Sequence, residues 1–196
     1  MQITRELREK VHEAYSAAAE RPGEAHPFPV GREFAESLGY PRELLAGTPP
    51  ACVEAFAGVS NVSIFAEIPA GATVLDIGCG AGLDSLIAAL RTGPSGKVIG
   101  VDFSQAMLAR ARDCTACIGT RNILFCHADA EHLPLADNSV DVVLVNGIFN
   151  LSTHRDSVFQ ELARVMRPGG RAYVSELILR EPLPPEVEAS SADWFA

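Results

Sequence analysis

Between Val74 and Gly82 the chain reads Val-Leu-Asp-Ile-Gly-Cys-Gly-Ala-Gly, an apolar run followed by three glycines at alternate positions. The run predicts a buried strand, and the glycines predict a turn whose backbone can approach a ligand closely and whose amides open a helix. Polar or anionic groups suit such a turn. Asp76 changes that reading, because a carboxylate two residues ahead of Gly78 suits a cationic group better than a pyrophosphate. A dinucleotide site also needs glycine at position 83, where this chain has Leu83.

Three further segments carry polar groups at predicted strand ends. In Val98-Ile99-Gly100-Val101-Asp102-Phe103 the strand ends in Asp102, a carboxylate placed to accept both hydroxyls of a ribose. Phe103 and, one helical turn on, Met107 either sandwich an adenine ring or pack into the core between helix and sheet. In His127-Ala128-Asp129-Ala130-Glu131-His132-Leu133-Pro134, Asp129 can accept from an exocyclic adenine amine while the Ala130 amide meets a ring nitrogen. In Val145-Asn146-Gly147-Ile148-Phe149-Asn150-Leu151, Asn146 and Gly147 reach the junction of cofactor and substrate, whereas Asn150 serves as a cap or turn residue. With Asp76 facing an ammonium and sulfonium end, and amides near Gly78 and Gly80 facing an amino-acid portion, the ligand described is S-adenosylmethionine (SAM).

The elements that must position these residues read as a fold. From Ala72 onward, β-rich runs at 73–76, 97–101, 123–126, 140–145 and 171–175 alternate with helical patterns at 82–91, 104–117 and 155–166. That alternation predicts an α/β, Rossmann-like, doubly wound and mainly parallel sheet of five strands. Arg167-Pro168-Gly169-Gly170 predicts a turn that ends the last helix. Ahead of the sheet, Ile3, Leu7, Val11, Tyr15 and Ala18 recur at spacings of three and four, which marks an amphipathic helix. The prolines and glycine of 21–29 break it, and short helices are expected around 41–46 and 49–57, each with proline in its first turn. The organisation expected is a helical cap over 1–70, a SAM-binding domain over 71–180 and a C-terminal extension over 181–196.

Composition narrows the partners. The 196 residues carry a formal net charge of −9 and no basic cluster, which argues against nucleic acid. No apolar run is long enough for a membrane span and the start is charged, so the expectation is a cytoplasmic protein. Five cysteines, 52, 79, 114, 117 and 126, make an odd set without a signal peptide and predict reduced thiols. Cys114-Thr115-Ala116-Cys117 lacks the second pair that zinc needs, and the five histidines lack metal spacing, so no metal is expected.

Taken together, the glycine motif, Asp102 and Asp129 resemble class I SAM-dependent methyltransferases. The likeness to arsenite methyltransferases, and to their relatives in the ubiquinone/menaquinone-type group, extends into the cap. It is carried by Leu38-Gly39-Tyr40-Pro41-Arg42-Glu43-Leu44-Leu45-Ala46, Ala57-Gly58-Val59-Ser60-Asn61 and Glu131 to Asp141. The resemblance implies that Tyr15 closes over the cofactor. It also implies arsenic-binding cysteines where this chain has Val59 and Gly147, a third beyond a stretch similar to 192–196, and two antiparallel strands after the fifth. An open fifth-strand edge predicts a dimer or a tendency to self-associate.

The expected function is methyl transfer from SAM, with S-adenosylhomocysteine as product, to a small molecule other than arsenite. In-line displacement relies on proximity and exclusion of water, so no catalytic residue is assigned. The alternatives are a SAM-binding regulatory module without turnover and, from another class, a nicotinamide-dependent oxidoreductase, which Leu83 disfavours.

Overall fold

Helix α1 (Gln2–Glu20) begins the chain in the computed structural model, which describes residues 2–178 and their side chains from Glu6 onward. The extension at 181–196 lies outside the described residues. Leu7, Val11, Ala18 and Ala19 of α1 are buried, as the three-and-four spacing requires. Four short helices complete the cap: α2 (Arg32–Ser37), α3 (Arg42–Ala46), α4 (Pro50–Glu54) and α5 (Val62–Phe65). The first and last of these were not expected, being too short to show a helical period, and α4 stops at Glu54 rather than running to residue 57.

Strands and helices then alternate as expected: β1 (Thr73–Ile77), α6 (Leu83–Thr92), β2 (Lys97–Asp102), α7 (Gln105–Ile118), β3 (Ile123–His127), β4 (Val140–Asn146), a single 3₁₀ turn at Phe149–Leu151, α8 (Arg155–Val165) and β5 (Met166–Ser175). Local chemistry sets the helix ends. Gly82, at a left-handed φ of 87°, starts α6; Ser104 caps α7 by accepting from the Met107 amide at 3.3 Å; and Gly119, at φ 66°, ends α7.

All strand pairs are parallel, in the order β3-β2-β1-β4-β5. Strand order reverses between β1 and β4, so the loops leaving their carboxyl ends part and open a crevice, the place where doubly wound sheets hold ligands. Central strands β1, β2 and β4 are buried on both faces, which is why they read as continuous apolar runs. Edge strand β5 is largely exposed, with Val174 open to solvent and Leu177 and Ile178 just beyond it.

Two expectations are corrected here. The turn at Arg167–Gly170 does not separate helix from strand. Met166 already pairs with Val140, and Arg171 pairs with Val142, so 167–170 bulge from β5 with Gly169 at φ 83°. Pro168 is tolerated because an edge strand leaves one row of amides unpaired.

The second correction concerns the thiols. Cys52 of α4 and Cys114 of α7 form a buried disulfide, with Cα atoms 5.8 Å apart, and only 79, 117 and 126 are free cysteines. Packing of the cap on α7 creates the pair, and spacing along the chain gives no hint of it. The bridge spans a sequence separation of 62 residues. By chain-entropy reasoning, its loss is expected to cost up to about 4 kcal/mol. Reductant should therefore lower the melting temperature of the wild type but not of a Cys52→Ala, Cys114→Ala double variant. Equal melting with and without reductant would show that the bridge does not hold the cap.

Candidate functional site

Three carboxylates converge at the crevice. Asp76, next to last in β1, lies between Gly100 and Leu144 of the flanking strands and accepts from the Ser85 hydroxyl at 2.5 Å. Asp84, the second residue of α6, accepts from the Tyr40 hydroxyl at 2.6 Å, from the Asn146 amide at 2.9 Å and from the Ser63 hydroxyl. Asp102, at the end of β2, accepts from the amides of Gly80 and Ser104, both at 2.8 Å. All three are buried. Burial, aided by the charge of Asp84, pushes the Asp76 carboxyl up to about 8, and burial likewise raises Asp84 and Asp102 above the usual carboxylate range.

The glycine loop folds back over β2. The amides of Gly78 and Cys79 both donate to the Val101 carbonyl, at 2.8 and 3.0 Å. Gly78 has φ 70°, and a Cβ there would collide with Ile148. Gly80 has φ 51°, and its open side meets only the Met107 sulfur at 3.9 Å, leaving a cradle beside the backbone.

A small cavity of about 60 Å³ lies against this loop. Asp76, Asp84 and Asp102 share its wall with Tyr15, Phe103 and Met107, and no Lys, Arg or His of the described residues lines it. Tyr15 stacks on Phe28 at 4.4 Å, and burial followed by the charge of Asp102 holds its phenol well above the usual range. Burial also lifts the Cys79 thiol, so it stays neutral.

A larger cavity of about 520 Å³ adjoins it on the β2–β3 side. Asp102, Phe103, Asp129 and Ala130 form its wall, and α1 crosses it with Val11 and His12 facing inward. Its volume falls in the range of about 300–1,000 Å³ usual for small-molecule sites. His12 tilts against Phe103 at 5.8 Å between ring centres, and the His127 ring nitrogen Nε2 lies 2.9 Å from the Phe103 carbonyl.

Most residues expected from the sequence thus line one continuous cleft, with three qualifications. The amides of Gly78 and Gly80, expected to face the ligand, donate to the Val101 carbonyl and to Asp102 instead. Met107 is buried among Ala18, Ala19, Ala55 and Ala81, so its main contacts are core packing beneath the loop. Asn146 does not offer its side chain to the cleft: its Oδ1 accepts from the amides of Val59 and Ser60 at 2.9 and 3.0 Å, and its Nδ2 donates to the Ser60 carbonyl at 2.7 Å and to Asp84. It pins the cap loop to the end of β4. That contact brings positions 59 and 147 together, since a Cβ on Gly147 would lie 2.8 Å from Cγ1 of Val59. Sequence reasoning missed Tyr40, Ser63 and Asp84 as one polar cluster, and Arg8 and Glu131 as another. An acid in the first turn of a helix that follows three glycines is the one signal that pointed to Asp84.

Among the described residues no group of His, Cys, Asp or Glu is arranged to hold a metal, and no helix is long and apolar enough to cross a membrane. A family model described as a methyltransferase domain matches residues 68–195. The chain belongs to this methyltransferase family. It is 39% identical over 153 residues to an arsenite methyltransferase of Halobacterium salinarum, covering 78% of this chain and 39% of that protein. It is also 39% identical over 111 residues to a demethylmenaquinone methyltransferase of Shouchella clausii, covering 56% and 47% of the two chains. Among solved structures it resembles an arsenic(III) S-adenosylmethionine methyltransferase from Chlamydomonas reinhardtii, with a TM-score of 0.61, 30% identity and coverage of 84% of this chain and 56% of that one. The chain therefore spans less than half the length of either curated relative.

Proposed function

We propose that this domain binds SAM and transfers its methyl group to a small-molecule acceptor. The observation that carries the reading is the wall of three buried carboxylates, Asp76, Asp84 and Asp102, around a cavity that no cation of the described residues lines. Buried acids without a partner cation are costly, and a ligand bearing an ammonium and a sulfonium offsets that cost. The residues present fit such a ligand. The open side of Gly80 leaves room for its amino-acid part, Asp102 retains acceptor capacity beside a ribose, and Phe103, Asp129 and Ala130 form the wall for an adenine. SAM supplies an electrophilic methyl group.

The remaining task of the protein is alignment and exclusion of water. Neutral Cys79 and Tyr15 compete neither as nucleophile nor as anion, and the acceptor must bring its own nucleophilic atom. Phe56, Ala57, Gly147, Ile148 and Leu151 give that side an apolar wall. Val59 and Gly147 stand where the arsenite-methyltransferase likeness implies thiolates, so the acceptor proposed is not arsenite. Incubation with SAM and a panel of thiol, phenol and quinol acceptors should release S-adenosylhomocysteine with at least one of them. No release with any acceptor would leave binding without turnover.

Binding itself has a pH signature. Burial keeps Asp76 partly protonated up to about pH 8, and a bound cation favours its ionised form. SAM affinity should therefore rise as pH increases from 5.5 to 7.5, by up to about tenfold per pH unit, with a proton released on binding. Calorimetry in buffers of different ionisation enthalpy measures both. Failure to bind SAM would sink the whole reading, whereas pH-independent binding without proton release would remove Asp76 from contact with the cation.

A further inference from the structure

We propose that Arg8 forms an ionic latch with Asp129 and Glu131 that holds the N-terminal half of α1 across the nucleoside part of the cleft and must release to pass a ligand. The proposal rests on the SAM reading for the identity of that ligand. Arg8 Nη2 lies 3.0 Å from Asp129 Oδ2 and 2.6 Å from Glu131 Oε1, bridging two residues 121 or more positions away on the far wall of the larger cavity. The charges of both acids act to keep the guanidinium protonated against the opposing effect of its burial.

The two ends of the latch are built differently. Glu131 is only 8% exposed, accepts from the Ser152 hydroxyl at 2.9 Å and lies 3.4 Å from His154 Nδ1, so it stays in place when Arg8 leaves. The Arg8 and Asp129 side chains are each 42% exposed, so water and ions reach the pair and compete with it. The other end of α1 is anchored. Ala18 and Ala19 pack against Ala81 and Met107, and the hydroxyls of Ser16 and Ser104 lie 3.0 Å apart. A helix packed firmly at its C-terminal end, and held in its N-terminal half by the buried side chains of Leu7 and Val11 together with the Arg8 ion pairs, has the build of a strap.

The latch also meets the ligand directly. Asp129 Oδ1 accepts from the Glu131 amide at 2.9 Å and Oδ2 from Arg8 at 3.0 Å, so an adenine amine meets a carboxylate that Arg8 already engages. A nucleoside therefore shares or takes the carboxylate that Arg8 holds, and strap and ligand are coupled through one side chain.

The test is stopped-flow binding of S-adenosylhomocysteine, a net-neutral probe on which salt has little direct steering effect. Arg8→Gln and Glu131→Gln should each speed association and dissociation by about 2- to 10-fold, the range expected when ion pairs of this exposure are removed. Raising NaCl from 20 to 300 mM should speed both rates in the wild type and in Arg8→Lys, have a smaller effect on Glu131→Gln, which keeps the Arg8–Asp129 pair, and leave Arg8→Gln unmoved. Hydrogen exchange of the amides at 7–14 in the ligand-free protein should rise in the same order. Wild-type rates in both Gln variants, or a salt response that survives Arg8→Gln, would overturn the latch while leaving the cofactor reading intact. A wild type that binds no S-adenosylhomocysteine would overturn the cofactor reading and the latch with it.

Discussion

Asp76→Asn is expected to raise the melting temperature of the ligand-free protein and to weaken its hold on SAM by about 10- to 100-fold, or ~1.4–2.7 kcal/mol. The two effects share one cause. Asp76 is buried beside Asp84 with the Ser85 hydroxyl as its close donor, and its carboxyl is raised to about 8. A group whose folded pKa lies above its unfolded value stabilises fully only at pH below the unfolded value. That contribution is lost as pH rises through the folded value. Between about pH 4 and pH 8 the wild type therefore loses stability that an uncharged Asn keeps, while the Asn oxygen can still accept from Ser85. At pH 8 the gain should be on the order of 2 kcal/mol, or about 4–8 °C for a domain of this size. Near pH 4 the two proteins should melt together. A variant that melts lower than wild type at pH 8, with the fold intact by circular dichroism, would show that Asp76 is not a strained charge awaiting a cation.

Asn146→Ala is expected to do the reverse, destabilising strongly through the cap. It removes the acceptor for the Val59 and Ser60 amides and the donor to Asp84 Oδ2, at a cost of about 2–4 kcal/mol even with water partly replacing the lost bonds. Amides at 57–61 should lose exchange protection well before those of β1 and β4. Asn146→Asp should be worse at neutral pH, because it places a like charge against Asp84 and donates nothing to it. Unchanged protection at 57–61 in Asn146→Ala would mean that the loop is held by the Cys52–Cys114 bridge and apolar packing instead.

The sequence made the sheet and its glycine loop legible, because both are local. Each central strand is a continuous apolar run, and Asp76, Gly78 and Gly80 fall within five consecutive residues. Asp102 and Asp129 were readable as acids at strand ends for the same reason. What escaped notice depends on closure across the fold. Tyr40 and Asp84 are 44 residues apart, Asn146 and Asp84 are 62 apart, and Arg8 and Asp129 are 121 apart. Asn146 shows the difference well: its position at the end of β4 was evident, whereas its commitment to the cap loop required the loop to be in place. The disulfide is a case of the same kind, since Cys114 was read beside its neighbour Cys117 when its partner lay in the cap.

The three-carboxylate wall has a further consequence for how a turnover ends. In the proposed reaction Asp76, Asp84 and Asp102 face a ligand with two positive charges before transfer and one afterwards, because the sulfur becomes neutral. Attraction in a poorly solvated cleft weakens with each charge removed. The wall that gathers the donor therefore holds the spent product less tightly, and the charge lost in the transfer itself favours product escape.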